Sequence, residues 1–393
     1  MRQQKSFPTW PFFEQDEITA VCKVLASGKV NYWTGNQGRD FEIAFAKFMG
    51  VQYGIALANG TLSLELALRA IGIKKGDEII IPCRTFIATA GSIVAVGGIP
   101  VVADVDYRSQ NITANTIATV LTAKTKAIIV VHLAGWPCDM DPIMDLAMKH
   151  NLVVIEDCAQ AHGAQYKDRF VGTIGHAGVF SFCQDKIMTT GGEGGLLITN
   201  DAQIWQRAWM YKEHGKDCTE LFMQENEVGF KWLHNTFGSN FRMTEMQAAI
   251  GLLQLKKLSQ WLSLRQRNAR RLHVRMQAIQ GIESFIPPKN FKHAYYKFYA
   301  TIIPEYLKAN WNRDKILYAL QTMGIPCNVG SCPEINRELA FKKFNNNQLL
   351  LKLPIAQKLG KTSLMFQVHP ILQEQHMDMV ADSIASVLQD AVK

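Results

Sequence analysis

The chain has 393 residues, of which 48% are apolar and 19% charged, the balance of a soluble chain of two or three domains with a large core. No apolar run approaches the roughly 20 residues of a membrane helix, and the N-terminal MRQQKSFPTWPFF lacks the apolar stretch and small-residue cleavage site of a secretory leader. The formal charge of +8 is spread along the chain. Its densest basic stretch, Lys256 to Arg275, interleaves with Leu258, Leu262 and Leu272 at helical spacing, which predicts a solvated helix face and argues against a nucleic-acid surface.

The eight cysteines, Cys22, Cys83, Cys138, Cys158, Cys183, Cys218, Cys327 and Cys332, form no CxxC pair and no Cys/His cluster of zinc-site spacing. The expectation is a reduced, cytoplasmic chain with no disulfide and no structural metal. In chain order, the first chemical signal is Asn59-Gly60-Thr61, ahead of the helical run LSLELALRAIGI. A helix start with a close-approach glycine and a hydroxyl is a phosphate-binding arrangement.

Short β-branched runs then alternate with helix-length segments. They are Glu78–Pro82, Pro100–Val105, Ala127–His132, Leu152–Asp157, Gly178–Phe182 and Gly195–Thr199. This pattern predicts a mostly parallel sheet flanked by helices, an α/β fold. Ligands in such sheets lie beyond the carboxyl ends of the strands, which brings His132, Glu156–Asp157 and the residues after Phe182 towards one crevice. Helical patterns follow at Thr244–Trp261 and Leu262–Ile279, and then a strand-like YYKFYATII at Tyr295–Ile303. The predicted division is a large cofactor-binding domain over 1–260 and a smaller C-terminal α/β domain over 261–393.

The chemistry concentrates in VIEDCAQAHGAQY and GHAGVFSFCQDKIMTTGGEGGLLITND. An acidic pair closes one strand, Lys186 follows the next, and a Gly-rich turn follows the lysine. Pyridoxal phosphate needs such a set: a lysine amine to condense with its aldehyde, a carboxylate for its pyridine nitrogen, and amides and hydroxyls for its phosphate. Taken singly these are ordinary features, a surface lysine, a strand-end aspartate and a tight turn; the combination in this order carries the reading.

From about Trp33 to Leu372 the chain resembles the DegT/DnrJ/EryC1/StrS aminotransferases, a branch of the fold-type-I pyridoxal-phosphate enzymes that acts on nucleotide-linked sugars. The matching motifs are ANGTLSLELAL, GDEIIIPCRTFIATA, VHLAGWPCDMDPI, VIEDCAQAHGA, SFCQDKIMTTGGEGG, FGSNFRMTEMQAAIGLLQL and VHPIL. The resemblance implies that Lys186 holds the cofactor and moves the proton, that Asp157 pairs with the pyridine nitrogen, and that Gln160 contacts the ring oxygen. It places Phe86 on the ring and Gly60, Thr61, Leu62 and Ser181 around the phosphate, with Asn240 reaching that phosphate from a second subunit of a homodimer. Trp33 (with Asn31 nearby), His162 and Arg242 are candidates for substrate contact; His132 and His369 serve either substrate or structure.

The implied activity is amino transfer, with glutamate as donor, to a nucleotide-linked keto-sugar for a surface polysaccharide such as a lipopolysaccharide O-antigen. A UDP-linked sugar aminated at carbon three or four is the expected acceptor. A sugar dehydratase of the same fold carries histidine in place of the cofactor lysine, whereas position 186 is lysine. A non-catalytic regulator that senses sugar or cofactor is the other alternative. The chain departs from many relatives at Gly330–Pro333, where it reads GSCP instead of a His/Tyr-containing loop.

Overall fold

A computed structural model describes residues 7–217, 232–343 and 351–393; Cys218 lies outside them. A seven-stranded sheet organises the larger part. Its spatial order is Tyr53–Leu57, Gly195–Thr199, Ala177–Ser181, Val153–Asp157, Thr125–Val131, Glu78–Pro82 and Ile99–Ala103. Gly195–Thr199 runs antiparallel to both neighbours and the remaining pairings are parallel. The expected runs are the strands, displaced by a residue or two at most ends. Tyr53–Leu57 is the one the sequence pattern missed, because YGIAL is short and carries little β-branching.

Each face of this sheet has its own core. Ile80, Ile128, Val154 and Phe180 face one side with Phe41, Phe45 and Leu258, while Ile79, Ile81, Ile129 and Ile155 face the other with Leu64, Leu68 and Ala208. Burial on both faces explains the unbroken apolar runs. A third core lies around a four-stranded antiparallel sheet ordered Ile282–Glu283, Phe298–Ile302, Ser363–Phe366 and Cys327–Asn328.

Three expectations need correction. The two predicted helices at 244–261 and 262–279 are one 32-residue helix, Glu245–Met276, begun by a capping box between Thr244 and Gln247. No Gly or Pro interrupts its centre, and the buried positions Leu258, Trp261, Arg265, Ala269 and Leu272 continue across the expected junction at helical spacing. The domain boundary at residue 260 therefore falls inside a helix. Leu258 and Trp261 pack in the large core and Ala269, Leu272 and Met276 in the small one, while Ile335, Phe341 and Leu359 from the C-terminal third return to the large sheet.

The basic stretch is not a free solvated face either. Arg265 is buried, and Arg271 and Arg275 pair with Asp378 and Asp382 on the last helix, Glu374–Ala391. Finally, the strand expected over Tyr295–Ile303 begins only at Phe298, because Tyr295 has φ +49° and its N–H is held by His293 Nδ1 at 2.9 Å. That break turns Tyr296 and Lys297 into a cavity wall.

Candidate active site

A cavity of about 1260 Å³ opens beyond the carboxyl ends of the parallel strands. Val131, Asp157 and Ser181, each the last residue of its strand, reach it, as do Asn59 to Leu62 after the strand Tyr53–Leu57. Thr85 and Phe86, on the turn after Glu78–Pro82, complete that side. The small domain closes the opposite side with Tyr296, Lys297, Tyr299, Gln367 and His369.

Helix Gly60–Ala70 begins at the cavity. Its cap is Asn59, whose Oδ1 accepts from Leu62 N–H at 2.9 Å. The first two helical amides, Gly60 and Thr61, have no intrahelical acceptor and are available to an anion. Gly60 is required by close approach: a Cβ there would stand 2.5 Å from Ser181 Cβ. The helix start and the Ser181 hydroxyl thereby converge on one spot.

Asp157 is buried and reaches the cavity floor. Its Oδ1 accepts from Ala159 N–H at 3.1 Å and its Oδ2 from the Thr89 hydroxyl at 3.4 Å. Burial raises its pKa, and the Ala159 amide and the Lys186 charge only partly offset this. Among the described residues no cation forms an ion pair with it. A buried carboxylate in a cavity without a counter-ion fits a ligand that brings a cation, such as a protonated pyridine.

Lys186 follows the strand Ala177–Ser181 and lines the same cavity. Its carbonyl accepts from Trp10 Nε1 at 2.7 Å, and its Nζ lies 3.8 Å from Asp185 Oδ1. The turn behind it uses Gly191 and Gly192 at φ +85° and +124°, values that L side chains rarely adopt. Gln160 Oε1 accepts from Ala134 N–H at 2.7 Å, which leaves its amide NH₂ as the group offered to a ligand. Phe86 is 68% exposed, a bare ring at the cavity edge.

The remaining candidates divide. His369 lines the cavity. His162 does not: it is fully buried between Phe180 and Phe182, with ring centroids 5.5 and 5.4 Å away. Neither of its nitrogens completes a hydrogen bond, although the Ser181 backbone is close enough to favour the charged form slightly. Burial pushes its pKa down to about 3, so the expectation of substrate contact is replaced by a neutral core histidine. His132 is also internal. Its Nδ1 accepts from Cys138 N–H, so Nε2 carries the proton and donates to Glu156 at 3.0 Å. Glu156 further accepts from the amides of Gly172, Ile174 and Gly175. This pair and Cys158 stand close enough for a metal site, but the hydrogen bonds already occupy His132 and Glu156 as a brace for the strand that carries Asp157.

Trp33, Asn240 and Arg242 lie off the cavity of their own chain and converge on one residue the sequence did not single out. Glu213 Oε2 accepts from Trp33 Nε1 at 3.0 Å and from Arg242 Nη1 at 2.7 Å, and Glu213 forms a backbone bridge with Asn240. Within one chain, then, Trp33 and Arg242 are committed to Glu213 and cannot contact a substrate in this cavity. Asn31 turns back on the Trp33 amide. The loop at Gly330–Pro333, by contrast, does reach the cavity through Gly330, Ser331 and Cys332, anchored where Ser331 N–H donates to Tyr299 Oη at 2.9 Å. Asp185, Tyr296, Lys297 and Gln367 also line it without having been predicted. They had no signal beyond their nearness to Lys186 or to the small-domain strands.

Fold and cavity together define a fold-type-I, pyridoxal-phosphate-dependent aminotransferase. The chain belongs to the DegT/DnrJ/EryC1/StrS aminotransferase family, whose model matches residues 11–385. It is similar to the GDP-perosamine synthase of Caulobacter vibrioides, with 43% identity over 60% of this chain and 61% of that protein, so the match spans about three fifths of that relative. It is 36% identical to the UDP-N-acetyl-3-dehydro-alpha-D-glucosamine 3-aminotransferase of Acidithiobacillus ferrooxidans over 95% of this chain and 94% of that one. The solved aminotransferase of Psychrobacter cryohalolentis matches with a TM-score of 0.94 and 48% identity, covering 98% of this chain and 99% of that chain. Among the described residues no helix is long and apolar enough to cross a membrane.

Proposed function

We propose that this enzyme transfers an amino group from glutamate to a nucleotide-linked keto-sugar, UDP-linked and aminated at ring carbon three or four, for a surface polysaccharide. The observation that carries the reading is the meeting of Lys186, the unpaired buried Asp157 and the open helix start at Gly60–Thr61 in one cavity. The UDP assignment draws on the Acidithiobacillus relative, which aligns along nearly the whole chain.

Bound there, pyridoxal phosphate supplies an electron sink for the carbon that gains or loses nitrogen. Asp157 keeps the pyridine nitrogen protonated, since a cation beside it removes the penalty of its burial. The Gly60 and Thr61 amides and the Ser181 hydroxyl take the phosphate, with Leu62 shaping the same turn. Gln160 offers its NH₂ to the ring oxygen, and Phe86 covers the ring. Lys186 anchors the cofactor and, when displaced, acts as a neutral amine that moves the proton between substrate carbon and cofactor. Asn240, held outward by the Glu213 bridge, serves the phosphate of a second subunit, and the working unit is a homodimer.

Visible absorption of the purified protein tests this. With pyridoxal phosphate the wild type should show a band that glutamate bleaches and a keto-sugar nucleotide restores, and Lys186→Ala should lack the lysine-bound band. A wild type with no band after loading, or full turnover in Lys186→Ala, overturns the reading.

A further inference from the structure

The cavity wall opposite the strand ends holds a second lysine. Lys297 is 8% exposed and lines the cavity. Its Nζ donates to Gln367 Oε1 at 3.0 Å and lies 3.8 Å from Asp185 Oδ2, close enough for charge attraction and too far for a hydrogen bond. An ammonium has three protons to place, so two of these have no acceptor among the described residues. Such a cation is costly to bury unless something anionic completes it.

The same carboxylate ties Lys297 to the reacting lysine. Asp185 Oδ1 stands 3.8 Å from Lys186 Nζ and Oδ2 stands 3.8 Å from Lys297 Nζ. The Tyr296 ring lies beneath both ammonium groups, 4.9 and 4.5 Å from its centroid, and its hydroxyl donates to Asp185. Behind this wall Arg265 is buried, its Nη1 bonded to the carbonyls of Tyr295 and Tyr296 while Nε and Nη2 have no partner. Once Lys186 carries the cofactor its own charge leaves the cluster. Lys297 and Arg265 then face the single charge of Asp185, and the wall keeps a net positive charge.

We propose that Lys297 receives the carboxylate of the amino donor that adjoins the reacting carbon. This deepens the reading of the protein as a glutamate-using aminotransferase and rests on it. A carboxylate one bond from the carbon that loses nitrogen must lie beside Lys186, which is where the shared Asp185 places Lys297. A nucleotide diphosphate lies across the sugar ring from the reacting carbon and belongs farther along the cavity. Gln367 fixes the ammonium by accepting one proton, and two protons remain for the two carboxylate oxygens.

The test compares wild type with Lys297→Met, Lys297→Gln and Lys297→Arg, each loaded with cofactor. Two quantities are read: the glutamate concentration that half-saturates bleaching of the visible band, and the calorimetric Kd of 2-oxoglutarate, an unreactive probe of the lysine-bound cofactor form. Both should rise roughly 10- to 100-fold in the Met and Gln variants, the loss of one charge-assisted hydrogen-bonded contact. The limiting bleaching rate and the Kd of UDP should change little, and Arg should recover most of the carboxylate affinity. Unchanged glutamate and 2-oxoglutarate binding overturns the proposal. So does weakened UDP binding with intact carboxylate binding, which assigns Lys297 to the diphosphate. Loss of the visible band from both neutral variants also overturns it, since Lys297 then serves the cofactor. A wild type that glutamate does not bleach fails the aminotransferase reading instead, before any variant is compared.

Discussion

Asp157 and His162 stand five positions apart in one motif and meet opposite fates. Asp157 ends its strand at the cavity, whereas the chain after it turns inward and packs His162 on Phe180 and Phe182. For Asp157 the missing counter-ion sets the prediction. Asp157→Asn should fold like the wild type yet lose amino transfer on the order of 100- to 1000-fold, the scale of removing one preorganised charge from an active site; single-turnover bleaching by glutamate measures it. For His162 the unsatisfied nitrogens do so. His162→Phe removes two buried polar atoms and keeps a ring between two aromatic rings, so its urea midpoint should equal or exceed that of the wild type. The sequence identified both residues as notable, but only the packing separated the ligand-facing one from the core one.

At the scale of elements, the end of helix Ala202–Lys212 is tied to helix Gln37–Met49 by charge. Lys212 is fully buried, 3.2 Å from Glu42 and 3.4 Å from Glu213, with its Nζ 3.9 Å from the Tyr32 ring centroid. Burial opposes its charge, but Glu42, Tyr32 and Glu213 outweigh it and hold the pKa above the ordinary lysine value. Lys212→Met leaves two carboxylates facing each other without a cation and should cost about 3–5 kcal/mol in urea unfolding. Asn240→Ala lies on the exposed side of the same cluster. It should leave stability nearly unchanged and weaken cofactor retention only where two subunits associate, which dialysis of loaded protein at high and low concentration checks. Glu213, the hub of this arrangement, was invisible in the sequence because its partners come from residues 33, 42, 212, 240 and 242.

The whole molecule carries an acid-sensitive term. His162, His293 and His369 are each pushed down to about 3, primarily by burial. Unfolded, each binds a proton near pH 6.5, while the folded form stays neutral until about 3. The unfolded state therefore holds more protons in this window, and stability falls as the pH drops from 6.5 towards 3, by about 1.4 kcal/mol per pH unit for each histidine. Urea midpoints between pH 6 and 4.5 should show this slope, reduced by about one proton in His162→Phe. Sedimentation at assay concentration addresses the proposed homodimer: an active monomer contradicts the role of Asn240.

What the sequence determined by itself was local and periodic. The buried parallel strands, the Asn59-capped helix start and the lysine set after a strand by a Gly-rich turn are all written in short segments, since strand burial, capping and turn conformation depend on near neighbours. What only the tertiary structure decided depends on residues far apart in the chain. The single helix through residue 260 joins two cores, Glu213 gathers Trp33 and Arg242 away from the cavity, and Lys297 shares Asp185 with Lys186 across 111 positions. Side-chain charge interacts through space with whatever packing brings near, and no window of sequence contains that distance.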